Sequence, residues 1–385
     1  MANNAQTQRL RVLIVAPSFS ILGGQSVQAA RLLERLGHEP SLEVAFLPIN
    51  PRLPGVLSQL QKIKYVRTFV TSIAYGLSLL LRVYKYDVIH VFSASYFSFV
   101  LAPTPAILIG RLYRRKILLN YHSGEAEDHL RRWRRSSIPT IRLVDSVVVP
   151  SEYLVRVFAS FGLKATAIYN LVDTSRFRFR ERSPLLPVFL SNRNLESHYG
   201  VDRVLRAFAM IQERIPEASL TVAGDGSQSR TLKALAQDLN LRKTSFVGQI
   251  DPGSIADVYD AADIFMNGSE IDNQPLSILE AFSCGLPVVT TDAGGIPDIV
   301  QDKRTGMVVP RGDSDEIAKR AITLLNDPVL AKQIVEQARQ ECFKYSWEAV
   351  RAAWLNAYHG LVNVGSFTAD NTQPQTTDDR KVVTR

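Results

Sequence analysis

The chain has 385 residues, 46% of them hydrophobic and 21% charged, with a net charge of +8. At roughly 100–200 residues per domain, that length predicts two domains, each large enough to bury a core. Its two cysteines, Cys284 and Cys342, exclude a disulfide framework, fit a reducing compartment, and sit in no metal-ligand spacing.

The start, MANNAQTQRL, is polar and predicts no secretory signal. An apolar strand, RVLIVA (11–16), runs into a loop whose Gly23–Gly24 pair opens a helix over 26–36. Glycines there let backbone N–H groups approach an anion, although an ordinary flexible loop has the same composition. Further strands are expected at 42–47, 87–92, 116–121 and 146–150, with a helix over 151–160. The apolar stretch FVTSIAYGLSLLL (69–81) is 13 residues long, short of the ~20 that span a bilayer. VFSASYFSFVLAPTPAILIG (91–110) carries Pro103 and Pro105 and reads as a buried strand, a loop and a helix. His122 follows strand 116–121 and precedes Gly124, so an imidazole is expected near a strand's carboxyl end, either functional or simply hydrogen-bonded there.

The stretch DTSRFRFRERSPLLP (173–187) is charged, contains proline and has no sustained period, which marks a seam. Beyond it strands are expected at 188–192, 219–224, 244–248, 263–267 and 287–291, with helices over 201–213 and 229–239. Continuous apolar strands alternating with amphipathic helices indicate parallel sheets covered on both faces. The expected architecture is therefore α/β: two doubly wound Rossmann-like domains, 1–175 and 176–345, facing a cleft. An amphipathic helix over 346–363 then packs back toward the N-terminal domain, and a polar tail, 364–385, is expected to be disordered. In open sheets of this kind ligands bind beyond the carboxyl ends of the strands. Arg193, just after strand 188–192, is placed to clamp phosphate oxygens or to make a rim ion pair. The Gly-Asp-Gly at 224–226 is half of a dinucleotide fingerprint, or a tight turn.

The stretch EIDNQPLSILEAFSCGLPVVTTDAGG (270–295) is the most informative. A helix is expected to begin near Pro275, capped by Asp272 or Asn273. The backbone N–H groups of Leu276 and Ser277 at its positive end would then suit a pyrophosphate. On helix geometry Asp272 and Glu280 would lie about 12 Å apart along the axis, at ~1.5 Å per residue. A buried unpaired carboxylate costs several kcal/mol, so Glu280 needs donors, either ribose hydroxyls or a structural arginine.

These residues resemble the donor-site signature of retaining nucleotide-sugar glycosyltransferases of family 4, with the GT-B fold. That family shows two acidic residues with seven between them, an A-x-x-x-G-x-P-V-V run and a glycine pair. Asp272 and Glu280 take the acidic places, and AFSCGLPVV (281–289) and AGGIPDIV (293–300) follow. The likeness extends over about 10–360: Gly23–Gly24 matches an N-terminal glycine loop, His122 a histidine after a strand, and IYNLVDTSRF (168–177) an interdomain segment. It implies that Glu280 binds the nucleotide ribose, Asp272 sits by the transferred sugar, and Arg193 stabilises the leaving diphosphate with help from Leu276 and Ser277. His122 would contact the donor sugar. The resemblance also implies retention of anomeric configuration and no required metal or other cofactor. Two positions depart from the pattern. Tyr199 stands six residues after Arg193 where the family has lysine, and Asp272 stands where it has glutamate.

Charge is divided unevenly. Residues 1–180 carry 24 Lys and Arg against 10 Asp and Glu, and residues 181–385 carry 21 against 27. Segment 59–86 mixes apolar and aromatic residues with Lys62, Lys64, Arg67, Arg82 and Lys85. Such a face suits an anionic bilayer or is merely a solvated face around a core helix. In this fold the first domain takes the acceptor, so the expectation is a cytoplasmic enzyme, peripheral at the inner face of the cell membrane. It would glycosylate a lipid-linked or saccharide acceptor in surface polysaccharide or glycolipid synthesis, without nucleic-acid binding. The alternatives are transfer to a small soluble acceptor, a catalytically silent nucleotide-sugar binder, and a nicotinamide-dependent oxidoreductase, the last lacking a full G-x-G-x-x-G.

Overall fold

The computed structural model describes residues 9–19, 23–53, 55 and 57–362; the tail read over 364–385 lies outside them. The first half runs β1 (Leu10–Ala16), α1 (Gly24–Gly37), β2 (Leu42–Pro48), α2 (Leu57–Leu60), α3 (Lys64–Arg82), β3 (Val88–Ser93), α4 (Tyr96–Leu101), α5 (Pro103–Leu112), β4 (Lys116–Tyr121), α6 (Ala126–Arg132), α7 (Arg134–Ile141), β5 (Ser146–Val149), α8 (Glu152–Ser160) and β6 (Thr166–Ala167). The second runs β7 (Val188–Asn192), α9 (Val201–Arg214), β8 (Ser219–Ala223), α10 (Ser229–Asp238), β9 (Thr244–Gly248), α11 (Ile255–Asp260), β10 (Ile264–Asn267), α12 (Leu276–Cys284), β11 (Val288–Thr291), β12 (Met307–Val309), α13 (Ser314–Asn326), α14 (Pro328–Cys342) and α15 (Trp347–Val362).

Two six-stranded sheets result, in the orders β2-β1-β3-β4-β5-β6 and β12-β11-β10-β7-β8-β9, and the paired strands run parallel. Each order reverses once, between β1 and β3 in the first sheet and between β7 and β10 in the second. Crevices open at such points, past the carboxyl ends of the strands. The strand period of two explains how each sheet is covered. Leu13 and Val15 of β1 face a core shared with Tyr75, Leu79 and Ile107. Val12 and Ile14 face the opposite core with Leu32, Leu36, Trp354 and Tyr358. One face of the first sheet is thus covered by α1 together with α15.

Two sequence expectations change, and the seam gains detail. The 13-residue apolar stretch lies inside α3, which with its short continuation to Lys85 is long and apolar enough, by length and composition, to cross a membrane. Yet Tyr75 and Leu79 are buried in the domain core, so one stripe of α3 is committed to the protein. The loop expected within 91–110 is itself helical. α4 and α5 meet at Ala102–Pro103, where proline supplies no N–H and starts the second helix. The seam at 173–187 is tied down by its charges: Arg182 donates to the carbonyls of Ala262 (2.7 Å) and Cys284 (2.6 Å). Arg180 donates to Asp263 at 2.9 Å.

Candidate active site

Both switch points open on one cleft of about 680 Å³ between the domains. Gly23, Gly24, His122, Arg193, Tyr199, Asp272, Leu276, Ser277 and Glu280 all line it.

On the second domain, Arg193 leaves β7 and Asp272 follows β10, the two strands flanking the switch point. Arg193 Nη2 donates to Asp272 Oδ2 at 2.5 Å, and Nη1 to Ser277 Oγ at 3.2 Å. The guanidinium lies over the Tyr199 ring, 4.1 Å from its centroid, a cation–π contact that holds its plane. Tyr199 is largely buried, which raises its phenol above the usual value despite the nearby Arg193 charge. The phenol is therefore neutral at neutral pH, and the position supplies orientation rather than charge. The His198 ring packs tilted against Tyr199, centroids 4.2 Å apart, and its carbonyl accepts from the N–H groups of Glu270 and Ile271.

Asp272 does not cap α12, and neither does Asn273. The cap position is Pro275, in extended backbone, and the helix begins at Leu276. Residues 272–275 are consequently outside the helix, and the rise per residue does not set the spacing of Asp272 and Glu280. Asp272 instead accepts from Ser269 Oγ (3.1 Å) and from the Asn273 N–H (2.9 Å), besides Arg193. This tight loop rests on the glycine pair downstream. A Cβ on Gly294 would fall 2.0 Å from the Asp272 carbonyl, and one on Gly295 2.2 Å from that of Asn273. The first turn of α12 leaves its N–H groups without intrahelical acceptors, and Leu276 and Ser277 present that end to the cleft.

Glu280 is buried, and both its oxygens accept hydrogen bonds from the protein: Arg31 Nη2 to Oε1 at 3.2 Å, and the Tyr259 hydroxyl to Oε2 at 3.1 Å. The expected need for donors is met first by an arginine of the other domain. Burial raises the Glu280 carboxyl above its usual value, and Arg31 is the main opposing influence. About four lone-pair directions exist on a carboxylate, so acceptor capacity remains for a vicinal diol. The single Tyr259 proton is shared with the Ser277 carbonyl, also 3.1 Å away, and the hydroxyl accepts from Asn192 Nδ2 (3.0 Å). Arg193, Ser277, Tyr259, Glu280 and Arg31 therefore form one buried chain of contacts. Arg31, Tyr259 and Asn192 were not singled out from sequence.

Across the cleft, His122 follows β4. Its ring stacks on Phe92 with centroids 5.0 Å apart, and its Nε2, shielded from solvent, has no hydrogen-bond partner. Burial pushes its pKa down to about 3, so the imidazole is neutral and offers a hydrogen bond, not a charge. Gly23 caps α1, and the space around the Gly23–Gly24 pair is open. Gly124 touches the other domain: a Cβ there would lie 3.2 Å from the Asp272 carbonyl carbon. Further ties are the Asn170 N–H to Gln274 Oε1 (2.7 Å), the Tyr153 N–H to Asp298 Oδ2 (2.7 Å) and Ser151 to Asn273. Among the described residues, no three His, Cys, Asp or Glu side chains converge as a metal site.

Two facing doubly wound domains, with an arginine–carboxylate pair and a helix N-terminus at the switch point of the second, define the GT-B class. Residues 22–176 match the family model described as Glycosyltransferase Family 4, and residues 174–341 match that of Glycosyl transferases group 1. The chain belongs to the family 4 glycosyltransferases. It is 30% identical over 258 residues to a GDP-mannose-dependent monoacylated alpha-(1-6)-phosphatidylinositol monomannoside mannosyltransferase of Corynebacterium glutamicum, covering 60% of this chain and 67% of the relative. It is 29% identical over 289 residues to the sulfoquinovosyl transferase of Arabidopsis thaliana, covering 69% and 55%. The chain thus spans about half to two thirds of the length of these curated relatives. The structure of Anabaena HepE in complex with UDP and glucose superposes with a TM-score of 0.71 at 17% identity, covering 91% of this chain and 100% of that one.

Proposed function

We propose that this protein transfers a glycosyl group from a nucleotide-diphosphate sugar to a lipid-linked or saccharide acceptor, with retention of anomeric configuration. The observation that carries this reading is the Arg193–Asp272 pair beside the first turn of α12, on the wall of the interdomain cleft. A diphosphate there meets a guanidinium fork and a helix N-terminus, both able to take up the charge that develops as the anomeric carbon–oxygen bond breaks. The acceptor oxygen takes the leaving oxygen's place, and its proton leaves with the diphosphate. Asp272 lies by the sugar, the Glu280 carboxylate has lone pairs left for ribose hydroxyls, and the neutral His122 Nε2 has hydrogen-bonding capacity for the sugar. Relatives named for UDP complexes, GDP-mannose and phosphatidylinositol mannosides support the substrate class.

We infer further that the acceptor side faces an anionic membrane surface, as a peripheral enzyme on the cytoplasmic face would. Tyr65, Phe69, Ile73, Leu77 and Leu81 of α3 are exposed, Tyr65 by 81%, and Leu108 and Leu112 of the adjoining α5 are exposed too. Between residues 44 and 124 the only acidic residue is Asp87, against ten Lys and Arg. An apolar face set in that charge matches an anionic bilayer, at ~1 kcal/mol per well-placed cation.

Thermal shift against UDP, GDP, ADP and NAD tests the donor reading. We expect one nucleoside diphosphate to stabilise the protein, and slow hydrolysis of the matching nucleotide sugar that Glu280→Ala abolishes. Stabilisation by NAD alone would refute the reading, and nucleotide binding without turnover would reduce it to a binding protein. NMR of the released sugar's first-formed anomer tests retention. Flotation with phosphatidylglycerol vesicles tests the membrane surface: we expect the wild type to float and the Leu77→Glu, Leu81→Glu double variant to stay behind with its nucleotide affinity intact.

A further inference from the structure

Arg31 is an arginine on the buried side of α1, a position shared with Gln28, Ala29, Leu32 and Leu36. An apolar residue would pack there at lower cost, because a guanidinium taken out of water needs partners for its charge. Only 9% of Arg31 is exposed. Its Nη1 donates to the Leu171 carbonyl at 3.0 Å, and Gln28 brackets the same residue, donating to its carbonyl and accepting from its N–H. Leu171 belongs to the segment that joins the two sheets. With one side of the fork fixed on that segment, Nη2 reaches the second domain and meets Glu280. Both residues of the pair line the cleft.

We propose that Arg31 is a positioning residue of the nucleotide site: from the first domain it holds the Glu280 carboxylate aimed for the nucleotide's ribose, so that nucleotide binding is tied to the closed juxtaposition of the domains. This rests on the nucleotide-sugar reading above. The groups that face Glu280 are few. Arg31 comes from α1, the Tyr259 hydroxyl from α11 and Arg176 from the segment before β7, while Cys284 lies one turn further along α12. Tyr259 is fully buried and its phenol is held well above the usual value, so it donates but carries no charge. Arg31 is the principal cation opposing the burial of Glu280. Without it the carboxyl takes up a proton at a higher pH, and a protonated carboxyl loses acceptor capacity for the ribose diol.

The test is calorimetric titration of UDP, GDP and ADP into wild type, Arg31→Gln, Arg31→Lys and the control Arg35→Gln, a neighbour on α1 whose partner is Asp173. We expect wild type and Arg35→Gln to bind one nucleotide with the same dependence on pH from about pH 6 to about pH 8.5, the titration of the terminal phosphate at about pH 6 included. Arg31→Gln should bind roughly tenfold more weakly at the acid end and recover as the pH rises, one pH unit being worth about tenfold in ionised carboxylate. Arg31→Lys, which restores the charge without the fork, should bring back the wild-type profile. Unchanged or tighter binding by Arg31→Gln would overturn the proposal. So would a uniform weakening with the wild-type pH profile, which marks an interdomain staple and nothing more. If wild type binds none of the three nucleotides, the nucleotide-sugar reading fails first and takes this one with it.

Discussion

A guanidinium has two edges and a face, and Arg193 uses all three: Nη2 on Asp272, Nη1 on Ser277, the face on Tyr199. A lysine has one point of charge and cannot fill those places together. We expect Arg193→Ala to lower the turnover of the matching nucleotide sugar by about 10²–10³-fold, the usual cost of losing one preorganised charge-stabilising group. Tyr199→Phe should be close to wild type, because the stacking face remains. Tyr199→Ala should fall by roughly 2- to 30-fold, the range of a partly buried cation–π contact. Equal losses in the Phe and Ala variants would show that the hydroxyl, not the ring, matters. Position after a strand draws attention to Arg193 and His122 in the sequence, and a carboxylate at the entry of an apolar helix to Asp272. Arg31 was not legible there, because it reads as an ordinary helix arginine and its partner lies 249 residues away. Its one local signal is Gln28 a turn earlier on the same face, two polar side chains where α1 turns inward.

Among the elements, the turns are set by backbone-to-backbone contact. Gly200, between β7 and α9, has φ +57°, and a Cβ there would lie 1.8 Å from the Gly268 carbonyl oxygen. Neither neighbour can yield, since both are main chain. Gly200→Ala should therefore destabilise the fold by more than the ~1–2 kcal/mol of a left-handed alanine alone. It should also weaken nucleotide binding through the adjacent Tyr199. Urea denaturation and the nucleotide titration check the two effects, and an alanine variant as stable as wild type would contradict the crowding. Most strands, and helices such as α1, α8, α9, α10 and α15, were legible because continuous apolar runs and the 3.6-residue period are local. The start of α12 was not. Pro275 suggested a first helical residue, but the loop from Asp272 is held by Gly294 and Gly295, which lie beyond the helix and the next strand. The length of α3 was likewise hidden, since basic residues at both ends masked a helix whose buried stripe is only Tyr75 and Leu79.

At the scale of the molecule, alternating strands and helices with a mid-chain seam made two doubly wound domains legible, whereas the ties between them are side-chain pairs far apart in sequence. The last helix makes one of them. Arg351 of α15 donates to both oxygens of Glu39 at 2.6 Å, and Tyr358 lies 2.7 Å from His90 Nδ1 inside the first domain's core. Asn120 Nδ2 donates to His90 Nε2 at 3.1 Å, so the proton sits on Nδ1 and points at Tyr358. That arrangement needs a neutral ring, and burial, helped by His122, pushes the His90 pKa down to about 3. The unfolded chain's histidine titrates near 6.5. Below about pH 6.5 the unfolded state binds a proton that the folded state refuses, so stability is present above that pH and is lost as the pH falls toward 3, by about 1.4 kcal/mol per pH unit for this residue. His90→Gln keeps a donor and an acceptor but cannot titrate. We expect it to be less stable than wild type at pH 7 and to lose less stability between about pH 6.5 and about pH 4.5. Urea midpoints at the two pH values measure the difference. If His90→Gln and wild type lost stability in parallel, the proton on His90 would not be what the docking of α15 depends on.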